Sequence, residues 1–327
     1  MSLAKRWLPG GAFARGSVSP ASLGTGHKSL VVALRDLDEA ENLLTFAASL
    51  AMTSQLRLQL IHVRSPATWA ETDDVLLVDD GQEIGFRLRS SQHLAALAQR
   101  WSRLVGGSIG VATRINSSLI PVLDQACRMG DEYVVVRQPS RSLLQRWWND
   151  TAEQEVVSSN YPMFVVPNRN DARGAGQRRP IRRVLLVVDD RPESFDAVSR
   201  ALSLFGNSAE YHLLHVSPLR SLGTLRPGQA GTTTAAGDDA VDLRNQAWFA
   251  MHQAREQIEA AGAQAEASLI FDSLPPGAAI LSQAAIRDVD AIVMTRRPRE
   301  LRFWRKSPWR QVAREACVPV LLCPQAS

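Results

Sequence analysis

The 327-residue chain is poor in features that would fix a function at once. It has three cysteines, Cys127, Cys317 and Cys323. A set so sparse and odd in number, without C-x-x-C or Cys/His spacing, argues against a disulfide framework and a zinc site, and a cytoplasmic location is expected. No apolar run approaches the roughly 18–20 residues of a membrane-spanning helix, so no membrane span is expected. Net charge is only +4, so the total makes no case for nucleic acid. The first 27 residues contain basic, glycine and serine residues but no continuous apolar stretch, and read as a flexible tail rather than a signal peptide.

What the chain does have is a repeat. "SLVVALRDLDEAENLLTFAASLA" from Ser29 and "RVLLVVDDRPESFDAVSRALSLF" from Arg183 each run from an apolar strand through an acidic turn into apolar residues at helical spacing. "LRLQLIHVRSP" and "AEYHLLHVSPL" follow, strands ending in His62-Val63 and His215-Val216. Helices are then expected over about Gly85–Val105 and Ala240–Ala261, with third strands in "SIGVATRI" and "AEASLIF". Short helices ("LIPVLDQACRM", "PPGAAILSQAAIRD"), fourth strands ("DEYVVVR", "DAIVMT") and closing strands ("YPMFVVP", "VPVLLCP") complete each half. The expected units are 28–168 and 181–327, with a Gly- and charge-rich linker over 169–180. Strands alternating with helices predict a doubly wound α/β fold, and wholly apolar strands such as "VLLVV" fit a parallel sheet covered on both faces. In such sheets ligands bind beyond the carboxyl ends of the strands, where strand order reverses.

Two loops stand out there. From Arg296 to Arg314 eight basic residues face one acid, Glu300, with Trp304 and Trp309 among them. The first half has Arg137, Arg141 and Arg146 beside Trp147-Trp148, so half of the eight tryptophans lie in two equivalent loops. Arginine offers forked donors and stacks on aromatic faces, and tryptophan and arginine anchor interfaces. Arg296, Arg297, Arg299, Arg302, Trp304, Arg305, Trp309, Arg146, Trp147 and Trp148 are therefore candidate contacts for a protein partner or for self-association. A purely structural use, with the tryptophans filling the emptied cleft or the domain–domain contact and the arginines solvated, weighs more than a protein partner, and anionic lipid or nucleic acid weighs least. Asp73, Asp74, Asp79 and Asp80 read as a solvated loop for want of a metal-ligand spacing, and His62 and His215 as core histidines.

"VLLVVDDRPES", "LLHV", "PPGAAILSQAAIRDVDAIVMT" and the closing "VPVLL" resemble the universal stress protein family in its tandem two-domain form. The resemblance covers nearly all of the chain after the tail and is better in the second half. It implies two adenine-nucleotide-hydrolase-like domains, each a five-strand parallel sheet in order 3-2-1-4-5, paired through their last strands within one chain or between chains. Nucleotide-binding members hold ATP with an aspartate ending the first strand and a G-x2-G-x9-G-(S/T) loop after the fourth. Glycines there let backbone N–H groups approach phosphate. In this chain the first-half places hold Arg137, Ser140, Asp150 and Thr151 (counted from the next strand, the last pair is Asn149-Asp150), and the aspartate place holds Arg35. In the second half, Asp189 matches the aspartate, while Thr295, Pro298, Lys306 and Ser307 occupy a loop two residues short. Glycine is lost from both loops, and Asp150 would repel phosphate. The implied function is a non-enzymatic stress-response regulator or scaffold with no cofactor. The alternative is an ATP sensor using Asp189, Thr295, Lys306 and Ser307 of the second domain. An enzyme of the wider adenine-binding group is not expected, since a nucleophile–base pair and HIGH- or SGGxDS-type loops are missing.

Overall fold

The computed structural model describes residues 28–34, 40–64, 80–107, 109–115, 132–137, 161–167, 181–189, 191–218, 233–272, 274–296 and 307–324. The tail over 1–27, the linker over 169–180, the acidic cluster at 73–79 and the helix expected from "LIPVLDQACRM" lie outside them.

Ten strands and six helices are described. The first half runs β1 (Ser29–Leu34), α1 (Ala40–Thr53), β2 (Arg57–Arg64), α2 (Asp80–Val105), β3 (Gly110–Ile115), β4 (Glu132–Arg137) and β5 (Met163–Val166). The second runs β6 (Arg183–Val187), α3 (Pro192–Phe205), β7 (Glu210–Pro218), α4 (Thr233–Ala260), β8 (Gln264–Asp272), α5 (Pro276–Ile286), β9 (Ala291–Thr295), α6 (Pro308–Glu315) and β10 (Val320–Cys323). The helices expected at Gly85 and Ala240 begin earlier, at Asp80 and Thr233. None of the described helices is long and apolar enough to cross a membrane.

Strands β1 to β5 follow the order 3-2-1-4-5, and β6 to β10 repeat it in mirror sequence. The five-strand pattern is therefore present twice, but as one ten-stranded sheet, β3-β2-β1-β4-β5-β10-β9-β6-β7-β8. All neighbours are parallel except at the centre, where β5 and β10 run antiparallel, pairing Val165 with Val320, Phe164 with Leu321 and Met163 with Leu322. The last-strand pairing left open by the sequence thus occurs within the chain.

The physical reason is visible strand by strand. All six residues of β1 and all four of β5 and β10 are buried. Apolar strands covered on both faces gain from helices above and below and lose from an open edge. Joining β5 to β10 removes two such edges at once. The pair Phe164–Leu321 lies at the middle of this junction, the position a two-fold axis between the halves would occupy. Ser54 at the end of α1 donates its hydroxyl to the Leu204 carbonyl of α3, and Lys28 Nζ donates to Ser203 Oγ at 2.7 Å. One apolar cluster runs without a break from Leu44 and Phe164 of the first half to Val198 and Leu204 of the second.

Helix α3 shows how sequence spacing becomes packing. Ala197, Val198, Ala201, Leu204 and Phe205 are buried at helical spacing, and Gly206 ends the helix at φ 72°, a conformation glycine takes without steric cost. On the opposite face α5 and α6 meet closely at Gly277. A Cβ there would lie 2.7 Å from Gln311 Oε1 and 2.9 Å from Gln311 Cβ. Gly277→Ala is expected to destabilise the fold by about 1–3 kcal/mol, read as a lower urea midpoint, because overpacking outweighs the helix propensity of alanine.

Candidate functional site

The second half reverses its strand order at β6, which lies between β7 and β9. The carboxyl ends of these strands bring together Asp189 after β6, His215 in β7, and Thr295 and Arg296 closing β9. Ser307, which opens α6, is the other candidate of this half within the described residues.

Asp189 is engaged by its own turn. Its Oδ1 accepts the Ser194 hydroxyl and the Arg191 backbone N–H, the latter at 3.2 Å. Ser194 Oγ in turn accepts the Asp189 N–H at 3.0 Å. Ser194 is buried and Asp189 is partly buried. The N-cap position of α3 is Arg191, which makes no side-chain cap bond. The entry to α3 is held instead by the reciprocal Asp189–Ser194 contact, a variant of the capping box in which side chain and backbone satisfy each other. Ser194→Ala removes both bonds at once and is expected to cost about 1–2 kcal/mol in chemical denaturation, since it leaves a partly buried acceptor and donor of Asp189 without this partner.

His215 Nδ1 lies 2.9 Å from the Val188 carbonyl. A carbonyl only accepts, so Nδ1 carries the proton and the imidazole ties β7 to the end of β6. His215 is satisfied by this bond but is only partly buried, so of the two expected core histidines only His62 is in the core.

Thr295 is partly buried and pairs with Cys323 across the ladder. Burial pushes the Cys323 thiol up to about 12, so it remains protonated and unreactive at neutral pH. Arg296 and Trp309 are corrected by the structure. Both were candidates for a contact surface, and both are core residues, 1 % and 4 % exposed, which for Trp309 agrees with the structural use that the sequence also allows. Arg296 follows Met294 on the α5/α6 face of the sheet, its backbone N–H bonds the Cys323 carbonyl at 2.8 Å, and its guanidinium reaches the Tyr161 carbonyl of the first half at 3.4 Å. Trp309 packs with Val312 and Ala313 of its own helix at i+3 and i+4, and this spacing was the sequence signal for burial. Arg310 lies 5.3 Å over the Trp309 ring. Ser307 caps α6 through its carbonyl, which accepts from Arg310 N at 3.1 Å and Gln311 N at 3.2 Å, while its hydroxyl makes no cap bond.

The other candidates, Lys306, Arg297, Arg299, Arg302, Trp304, Arg305, Arg146, Trp147 and Trp148, lie outside the described residues, as do Arg35, Ser140, Asp150 and Thr151. Among the described residues no group of three or more His, Cys, Asp or Glu side chains could hold a metal ion.

Residues 180–324 match the universal stress protein family. No curated protein matches the chain. Among solved structures, a universal stress protein from Archaeoglobus fulgidus DSM 4304 aligns with 91% of this chain and 97% of its own, at 15% identity and a TM-score of 0.63. A functionally unknown protein from Pseudomonas aeruginosa PAO1 aligns with 91% of this chain and 92% of its own, at 16% identity and a TM-score of 0.52. At such identities the likeness establishes the fold, and the family similarity lies in the sequence match to the second half. The C-terminal half of this chain is thus similar to the universal stress protein family, and β1 to β5 repeat the strand order of β6 to β10 in a sheet continuous with them.

Proposed function

We propose that this chain is a non-enzymatic regulator or scaffold of the stress response, with two sequence-degenerate nucleotide clefts. The observation that carries this reading is the commitment of Asp189. The carboxylate that would meet an adenine nucleotide already accepts two donors from its own turn. Arg296, at the start of the former glycine loop, is likewise drawn into the core instead of facing a phosphate. Side chains that brace the fold are not released to a ligand without cost. The second reading, an ATP sensor confined to the second half, is favoured by Ser307, whose hydroxyl makes no cap bond at the N-terminus of α6.

The test is the nucleotide content of the freshly purified protein, followed by ATP titration with Mg²⁺. The scaffold reading expects no bound nucleotide and no saturable heat of ATP binding. Stoichiometric ATP that disappears in Asp189→Ala overturns it in favour of the sensor.

A further inference from the structure

We propose that the free edge of β8 is a self-association surface, through which two copies of this chain pair antiparallel about a two-fold axis at Ser268. The proposal is independent of the strand-end clefts. Strand β8 closes the ten-stranded sheet on one side, and β7 is its only partner among the described residues. At nine residues it offers about 30 Å of backbone donors and acceptors that no described strand pairs on that side. Proteins blunt such edges with lysine, proline or brevity. β8, "QAEASLIFD", has no lysine and no proline. The carboxylate inside it, Glu266, is tied back by Arg287, which also donates to Ser268 Oγ at 3.1 Å. The opposite edge, β3, is blunted by comparison, with six residues, a glycine at its start and Arg114 within it.

The occupant follows from the strand's own pattern. Antiparallel pairing centred on Ser268 sets Ala265 against Phe271 and Ala267 against Leu269, twice each. Small residues meet large ones along the face that α4 covers, and Glu266 meets Ile270 rather than another acid. This self-complementarity is what a two-fold interface requires. Exposed apolar side chains also gather on the elements around β8. Trp248 and Phe249 lie on α4, which packs over β7 and β8, with Phe249 72% exposed. Leu274 follows the strand, and Ile286 ends α5 beside the Arg287 tether and is 69% exposed. Such side chains on both faces of an open edge fit a rim that a second copy would cover.

Sedimentation of the full chain across the micromolar range tests this. A reversible dimer is expected, and Ser268→Lys, which sets two cations face to face on the axis, is expected to weaken it by about 100-fold. In a Cys317→Ser background, Ser268→Cys is expected to give a disulfide-linked dimer on mild oxidation that Cys317→Ser alone does not give. This isosteric change decides the matter should Ser268→Lys fail to fold. A monomer throughout, open-ended growth with concentration, a dimer indifferent to Ser268→Lys, or no cross-link each overturns the proposal.

Discussion

Phe164→Ala is expected to lower stability by about 3–5 kcal/mol, the cost of emptying a fully packed aromatic site. Phe164 is fully buried in β5, at the centre of the antiparallel junction. Its ring meets Phe46 of α1 edge-on at 5.3 Å, Phe205 of α3 at 6.4 Å and Tyr133 of β4 at 6.5 Å. Two of these rings belong to the first half and one to the second, so a single side chain fastens both halves. Edge-to-face aromatic pairs add to the area that the ring buries. The contrast is Phe164→Leu, which makes the position resemble its partner Leu321 and retains most of the volume. About 1–2 kcal/mol is expected there. Urea unfolding measures both, and Phe164→Ala is further expected to split the transition, because the halves lose the contact that couples their unfolding. A loss below about 1 kcal/mol in Phe164→Ala would show that the junction does not depend on this ring.

Much of this architecture is legible in the sequence, for a simple reason. A parallel strand buried on both faces carries an uninterrupted apolar run, and the runs in the six central strands, β1, β4, β5, β6, β9 and β10, separated by helical periodicity, leave few other folds. The junction is less legible. "YPMFVVP" and "VPVLLCP" announce two closing strands, but nothing in them says whether they pair with each other or with another copy. Edge pairing is decided by backbone groups that every sequence shares. The strand-end cleft is legible only by position. Asp189 is found by its place after the apolar run, whereas its capture by Ser194 depends on the path of the turn between them. The arginines mislead most. Charge counted along the chain suggests an exposed basic loop from Arg296 to Arg314, yet the side chain at its first position shares the strand parity of Ile292 and Met294 and is buried on their face. Composition gives the residue type, and strand parity gives the direction.

Arg296 provides the sharpest separation of volume from charge. It is the largest fully buried side chain in the described structure, and burial is the first cause holding its pKa down to about 10, so the guanidinium is still charged at neutral pH. A desolvated cation is costly, and apolar residues of similar size often replace one without loss. Arg296→Met retains the long, flexible stem beside Met294 and removes the charge. Its stability is expected to stay within about 1 kcal/mol of the parent, or to exceed it. Both changes leave the Tyr161 carbonyl without its guanidinium donor, but Arg296→Ala also opens a cavity at a fully buried position. About 2–4 kcal/mol is expected to be lost. The two variants differ only in what fills the space, so urea denaturation of both settles which property of Arg296 the fold uses. Methionine tolerated and alanine not means that the arginine packs as a long side chain at the junction of β9, β10 and the turn before β5. Equal losses in both would mean that its charge-assisted bond to the first half holds the two halves in register.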